Sequence, residues 1–129
     1  KERQRLAEML EGVPDDEPRL LLVHNPDFTE MLPAGRIDLA LCGHTHGGQV
    51  RLPLVGAPVV PSFFGNKYAH GLVQGPSTLV YVNRGIGLIP PAVRFNCRPE
   101  VTLVCLRVYG LTLGERSAYG AARLQVSGH

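Results

Sequence analysis

Leu6, Met9, Leu10 and Val13 recur at i, i+3, i+4 and i+7, the spacing of one apolar stripe along a helix. Gly12 and Pro14 close that helix, and Asp15-Asp16-Glu17-Pro18 makes an acidic turn. Leu20-Leu21-Leu22-Val23 follows as a short unbroken apolar run, which suits a strand covered on both faces, as in a parallel sheet. The run stops at His24-Asn25-Pro26. Asn25 fits an N-cap and Pro26 a first helical residue, so a short helix through Met31 is expected. A second strand over 37–42 then feeds Gly43-His44-Thr45-His46-Gly47-Gly48. Strand, helix, strand predicts a βαβ unit. Both histidine clusters fall just past the carboxyl ends of its strands, where open α/β sheets hold their ligands.

From residue 49 onward the pattern changes. Segments 49–52, 68–73, 78–83 and 101–108 read as strands separated by Gly/Pro turns, with no clear helix among them. The expected fold class is α/β, a βαβ unit followed by a β-rich antiparallel or mixed sheet. Residues 109–129 read as a C-terminal tail, loose or marginally helical. With 129 residues, 44% of them apolar and 19% charged, the chain has the makings of one small globular domain. No apolar run approaches the roughly 18 residues of a bilayer-spanning helix. Net charge is +2, so bulk nucleic-acid binding is not indicated. Residues 1–19 hold four basic and six acidic side chains, leaving nine basic against five acidic in the remainder. That remainder mildly favours anions. Cys42, Cys97 and Cys105 show no disulfide or zinc spacing and read as buried thiols.

The candidate chemistry lies in the histidines. In an extended segment, residues i and i+2 project to the same side, so His44 and His46 are expected to face one cavity that His24 can also reach. Three convergent imidazoles suit zinc, manganese or iron. His70 and His129 lack any partner pattern and read as ordinary side chains. Asp27 reads as a first-turn helix carboxylate. Thr45 and Arg84 are candidate substrate contacts, as is Arg94, because hydroxyl and guanidinium groups suit phosphate oxygens. Gly47-Gly48-Gln49 also spells the tripeptide of peptide-release factors, but no basic RNA-binding surround accompanies it.

Leu22-Val23-His24-Asn25-Pro26-Asp27 and Gly43-His44-Thr45-His46-Gly47-Gly48-Gln49 closely resemble the last two metal-binding motifs of calcineurin-like metallophosphoesterases. Asn83-Arg84-Gly85-Ile86-Gly87, Pro91–Asn96 and Pro99-Glu100-Val101 resemble the C-terminal strands and loops of a cell-envelope branch of that family. The resemblance covers residues 1–108 and implies the C-terminal half of an α/β/β/α sandwich. It implies two divalent metal ions (Mn, Fe or Zn), with His24 and His44 on one and His46 on its neighbour. It further implies hydrolysis of a phosphomonoester or phosphodiester by metal-bound hydroxide, on a phosphate-ester substrate that includes lipid or envelope components. The compartment stays open between cytoplasm and membrane periphery.

The family's Asp-x-His, Gly-Asp and Gly-Asn-His-Asp/Glu motifs do not occur in this sequence. Neutral imidazoles alone compensate two dications poorly, so the expected partner is an N-terminal half of the same domain. Alone, the chain is expected to bind metal weakly and to be inactive, and to expose an edge strand and an apolar face. Two alternatives stand beside this reading: a self-contained mononuclear zinc hydrolase on His24, His44 and His46, and a non-catalytic remnant.

Overall fold

The computed structural model describes residues 2–106 and 125–128. Helix α1, Glu2–Leu10, carries Leu6, Met9 and Leu10 of the expected stripe but ends before Val13, and Met9 stays exposed. It buries Leu6 and Leu10 against Leu32 and Ile37, with Leu21 and Phe28 packed alongside. Strands β1 (Leu20–Leu22), β2 (Leu39–Cys42), β3 (Gly71–Gln74) and β4 (Leu79–Val82) form one sheet in the order β1-β2-β4-β3. β1, β2 and β4 run parallel, and β3 joins β4 antiparallel. The result is a mixed α/β architecture. A separate antiparallel pair joins β5 (Thr102–Cys105) to β6 (Gln125–Gly128).

The main core lies on one face of the sheet, where Ala40, Cys42, Val80 and Val82 pack with Tyr68, and Leu21, Val23 and Val73 flank them. Burial pushes the Cys42 thiol up to about 12, leaving it a packing group. The opposite face is only partly covered. Register aligns Leu22, Leu41, Tyr81 and Leu72 in one row across it. Both ends of the row are bare, Leu22 at 76% and Leu72 at 50% exposure. β1 is therefore an edge strand open on one face, where the apolar run predicted cover on both; the exposed edge and apolar face are as expected.

Other expectations need correction. The connection between β1 and β2 carries a six-residue 3-10 helix, Pro26–Met31. Asn25 caps it, accepting from Asp27 N at 2.9 Å, and Pro26 occupies its start. Pro33 follows closely, which leaves no room to settle into α geometry. Residues 49–52 make no strand, only isolated bridges from Val50 to Phe95 and from Leu52 to Gly56. The 68–73 segment opens as a 3-10 turn, Gly65–Tyr68, before β3. Gln125–Gly128 is a strand rather than loose tail or helix; residues 107–124 and His129 lie outside the described residues. Cys105 is exposed, because β5 pairs with β6 alone and keeps one face to solvent. Among the described residues, no helix is long and apolar enough to cross a membrane.

Candidate functional site

Parallel pairing is what brings the histidines together. The β1–β2 ladder continues beyond the strand ends through Val23 N to Leu41 O at 3.1 Å and Gly43 N to His24 O at 3.0 Å. His24 thus leaves β1 level with Gly43, beside His44. The two rings meet edge to face, with centroids 5.1 Å apart. His24 is exposed and His44 half-buried, so both are open to solvent.

That spacing fits a shared divalent ion. Metal–nitrogen bonds of about 2.0–2.1 Å, at ligand angles of about 90–110°, put two imidazole centroids about 4.5–5.2 Å apart. The donor set, imidazole nitrogen, suits zinc and iron.

His46 lies against the 85–87 loop. Its Nδ1 lies 3.2 Å from Gly87 O. The expectation that His44 and His46 share one side assumed extended backbone, and the loop is not extended. His44 and His46 have φ of 71° and 51°, while Thr45 between them is right-handed helical. Left-handed backbone at a non-glycine residue costs about 1–3 kcal/mol and persists only where the surroundings enforce it. Here they do. Arg94 spreads its guanidinium over the carbonyls of His46, Arg84, Gly85, Gly87 and Cys97. Gln49 clasps the same loop system, donating Nε2 to Ile89 O and accepting from Ile89 N.

Gly47 and Gly48 complete the turn, both at positive φ. A Cβ on Gly48 would sit 2.4 Å from Ala57 Cβ and 2.8 Å from Val59 O. Gly48→Ala is expected to destabilise the fold by about 2–3 kcal/mol, the combined cost of a positive φ and of overpacking. Urea unfolding followed by circular dichroism measures it.

Among the described residues, no group of three or more His, Cys, Asp or Glu side chains is arranged to hold a metal ion. The carboxylates between β1 and β2 are engaged elsewhere. Asp27 binds the Ser62 hydroxyl and Phe63 N at 2.5 and 2.9 Å, so it anchors a neighbouring loop beyond its place in the helix. Glu30 pairs with Lys67 and Tyr68, and Asp38 accepts from Arg19 N.

Thr45 is not a substrate contact: it is fully buried, and its hydroxyl donates to Ala69 O at 2.8 Å. Arg94 is likewise consumed by backbone carbonyls. Arg84 remains half-buried, with Nε donating to Glu100 Oε2 at 2.6 Å. Glu100, which pattern reading passed over, is buried and also receives the hydroxyls of Tyr81 and Thr102. Burial pushes its carboxyl up, but the bonds from Tyr81, Arg84 and Thr102 and the charge of Arg84 prevail and hold it at about 2. Only its place in a Pro-Glu-Val stretch marked it in the sequence.

Phosphodiesterase YaeI of Escherichia coli is 48% identical over 87 residues, covering 67% of this chain and 32% of the relative. An uncharacterized metallophosphoesterase of Bacillus subtilis, YkuE, is 38% identical over 112 residues, covering 79% of this chain and 39% of the relative. The UDP-2,3-diacylglucosamine pyrophosphatase LpxG of Chlamydia trachomatis is 37% identical over 100 residues, covering 69% and 29%. The chain thus spans about a third of the length of these curated relatives. No family model matches it. No solved structure matches it either.

Proposed function

This chain belongs to the calcineurin-like metallophosphoesterase family, and we propose that it forms the imidazole-bearing wall of a dinuclear phosphoesterase site. The observation that carries the proposal is the His24–His44 pair at 5.1 Å, at the carboxyl end of parallel strands. These two imidazoles hold one ion, and His46 serves its neighbour. When bound, the divalent ions supply Lewis acidity toward a phosphoryl group. The left-handed loop from His44 to His46 keeps the two ligand positions rigid and separate, so neither ring must be ordered when a ligand arrives. Arg84 offers its guanidinium to the substrate's phosphate oxygens.

The acidic ligands come from a segment equivalent to the part of the relatives that this chain does not cover. Neutral nitrogens alone leave two dications undercompensated, so this chain alone is inactive. The exposed β1 edge and the bare Leu22 offer that segment a seat. The substrate is a phosphomonoester or phosphodiester, and the relative named as a diacylglucosamine pyrophosphatase favours a lipid-linked one.

Hydrolysis of bis(p-nitrophenyl) phosphate with added Mn²⁺ tests the proposal. The chain alone is expected to give no turnover above buffer. Co-expression with the N-terminal segment of a close relative is expected to restore it. Turnover by the chain alone would favour the mononuclear alternative, and inactivity of both, with no metal retained, the remnant.

A further inference from the structure

One edge of the sheet gathers four side chains, and the strand registers fix which. β1 leads to His24, β2 to His44 and β4 to Arg84. β3 runs the other way and starts from His70, one step before the Gly71–Val82 pair. In strand order the edge therefore reads His24, His44, Arg84, His70, with neighbouring strands about 4.8 Å apart. The imidazole pair occupies half of this edge.

On the other half, Arg84 is gripped from one side only. Its Nε holds Glu100, whereas neither Nη atom has a hydrogen-bond partner among the described residues. Its stem lies over Gly47, where a Cβ would come within 2.9 Å of Arg84 Cγ. The fork therefore sits next to the histidine loop. Arg51 is less provided for still. Its guanidinium donates to none of the described residues, although Nη1 is buried. Arg19 and Arg94 each have one orphaned Nε, but their other nitrogens are bonded to carbonyls.

A buried cationic donor without a partner is costly and uncommon. His70 precedes Gly71, whose partner is Val82, so it stands beside Asn83 and Arg84 at the end of β4. Burial, then the charges of Arg51 and Arg84, hold its imidazole below the ordinary range, against the opposing pull of Glu100. Two guanidinium groups outweigh that one carboxylate, whose oxygens are already engaged by Tyr81, Thr102 and Arg84. Planar guanidinium forks match the oxygens of a tetrahedral oxyanion.

We propose that Arg51, Arg84 and His70 form a phosphoryl-binding subsite beside the imidazole pair, in which Glu100 is the positioning residue that aims Arg84. It deepens the phosphoesterase reading and rests on it only for the identity of the anion. No metal is needed for the subsite to bind.

Titration of the full chain with inorganic phosphate in EDTA, followed by ³¹P NMR, tests this. The wild-type chain is expected to bind phosphate saturably. Arg84→Gln and Arg51→Gln are each expected to weaken binding about tenfold, as loss of a charge-assisted hydrogen bond implies. Arg84→Gln strips a partner from buried Glu100 and risks misfolding, but Arg51 has no side-chain bond to lose, so Arg51→Gln keeps the test decisive. Absence of saturable binding to the folded wild type, or binding that survives the arginine changes, would overturn the subsite. Either result leaves metal binding by His24 and His44 to be judged separately.

Discussion

His24→Ala, introduced into a catalytically competent assembly of this chain with its acidic partner segment, is expected to lower turnover about 10³-fold. An ion at such a site supplies several kcal/mol of transition-state stabilisation, and each 1.36 kcal/mol is tenfold in rate. The same change is expected to shift stability by no more than about 0.5 kcal/mol. His24 is exposed and, unlike His44, does not have a positive φ. Its backbone carbonyl, which accepts from Gly43 N, survives the substitution. Steady-state kinetics and thermal unfolding of the same preparation separate the two effects. A variant that keeps near-wild-type turnover would remove His24 from the site.

Glu100→Gln is expected to be the most destabilising single change near the site, by about 2–4 kcal/mol. It leaves half-buried Arg84 without its charge partner and turns two hydroxyls toward an amide. Its signature is in the pH dependence. The folded-state carboxyl is held at about 2, below its usual 4.5. Its contribution is therefore complete above about pH 4.5 and is lost as pH falls through the folded value. At about 1.36 kcal/mol per unit, that contribution is about 3 kcal/mol. Urea unfolding between pH 6 and pH 2 should show the wild type weakening across this window, with much of the slope absent in Glu100→Gln. Equal slopes would mean that Glu100 is not the responsible group.

The readable parts of the fold were those written in local pattern. The stripe of Leu6 and Leu10, the capped Asn25-Pro26 step and the apolar runs that became β1, β2 and β4 all lie within a few residues of their cause. The unreadable parts depended on distant partners. Leu22 looked covered because an apolar run does not reveal which strand is the edge. Residues 49–52 looked like a strand, but Gln49 spends its side chain on the 89–91 loop, and Val50 and Leu52 make only isolated bridges, to Phe95 and Gly56.

At the site, His24 and His44 could be paired from motif spacing, since parallel strands deliver their carboxyl ends side by side. The non-extended turn that carries His46 could not. It follows from two left-handed residues enforced by Arg94, which lies 48 positions further on. Thr45 looked available until Ala69 claimed its hydroxyl. The Glu100–Arg84 link joins residues 16 apart, through a carboxylate that no local periodicity distinguishes.

The shared-ion role of His24 and His44 is tested most directly by imidazole ¹H–¹⁵N NMR of the chain during sub-stoichiometric addition of Mn²⁺. The ring signals of His24 and His44 should broaden together and first, ahead of His70. Uniform broadening of all five histidines, or broadening that spares His24 and His44, would contradict the account.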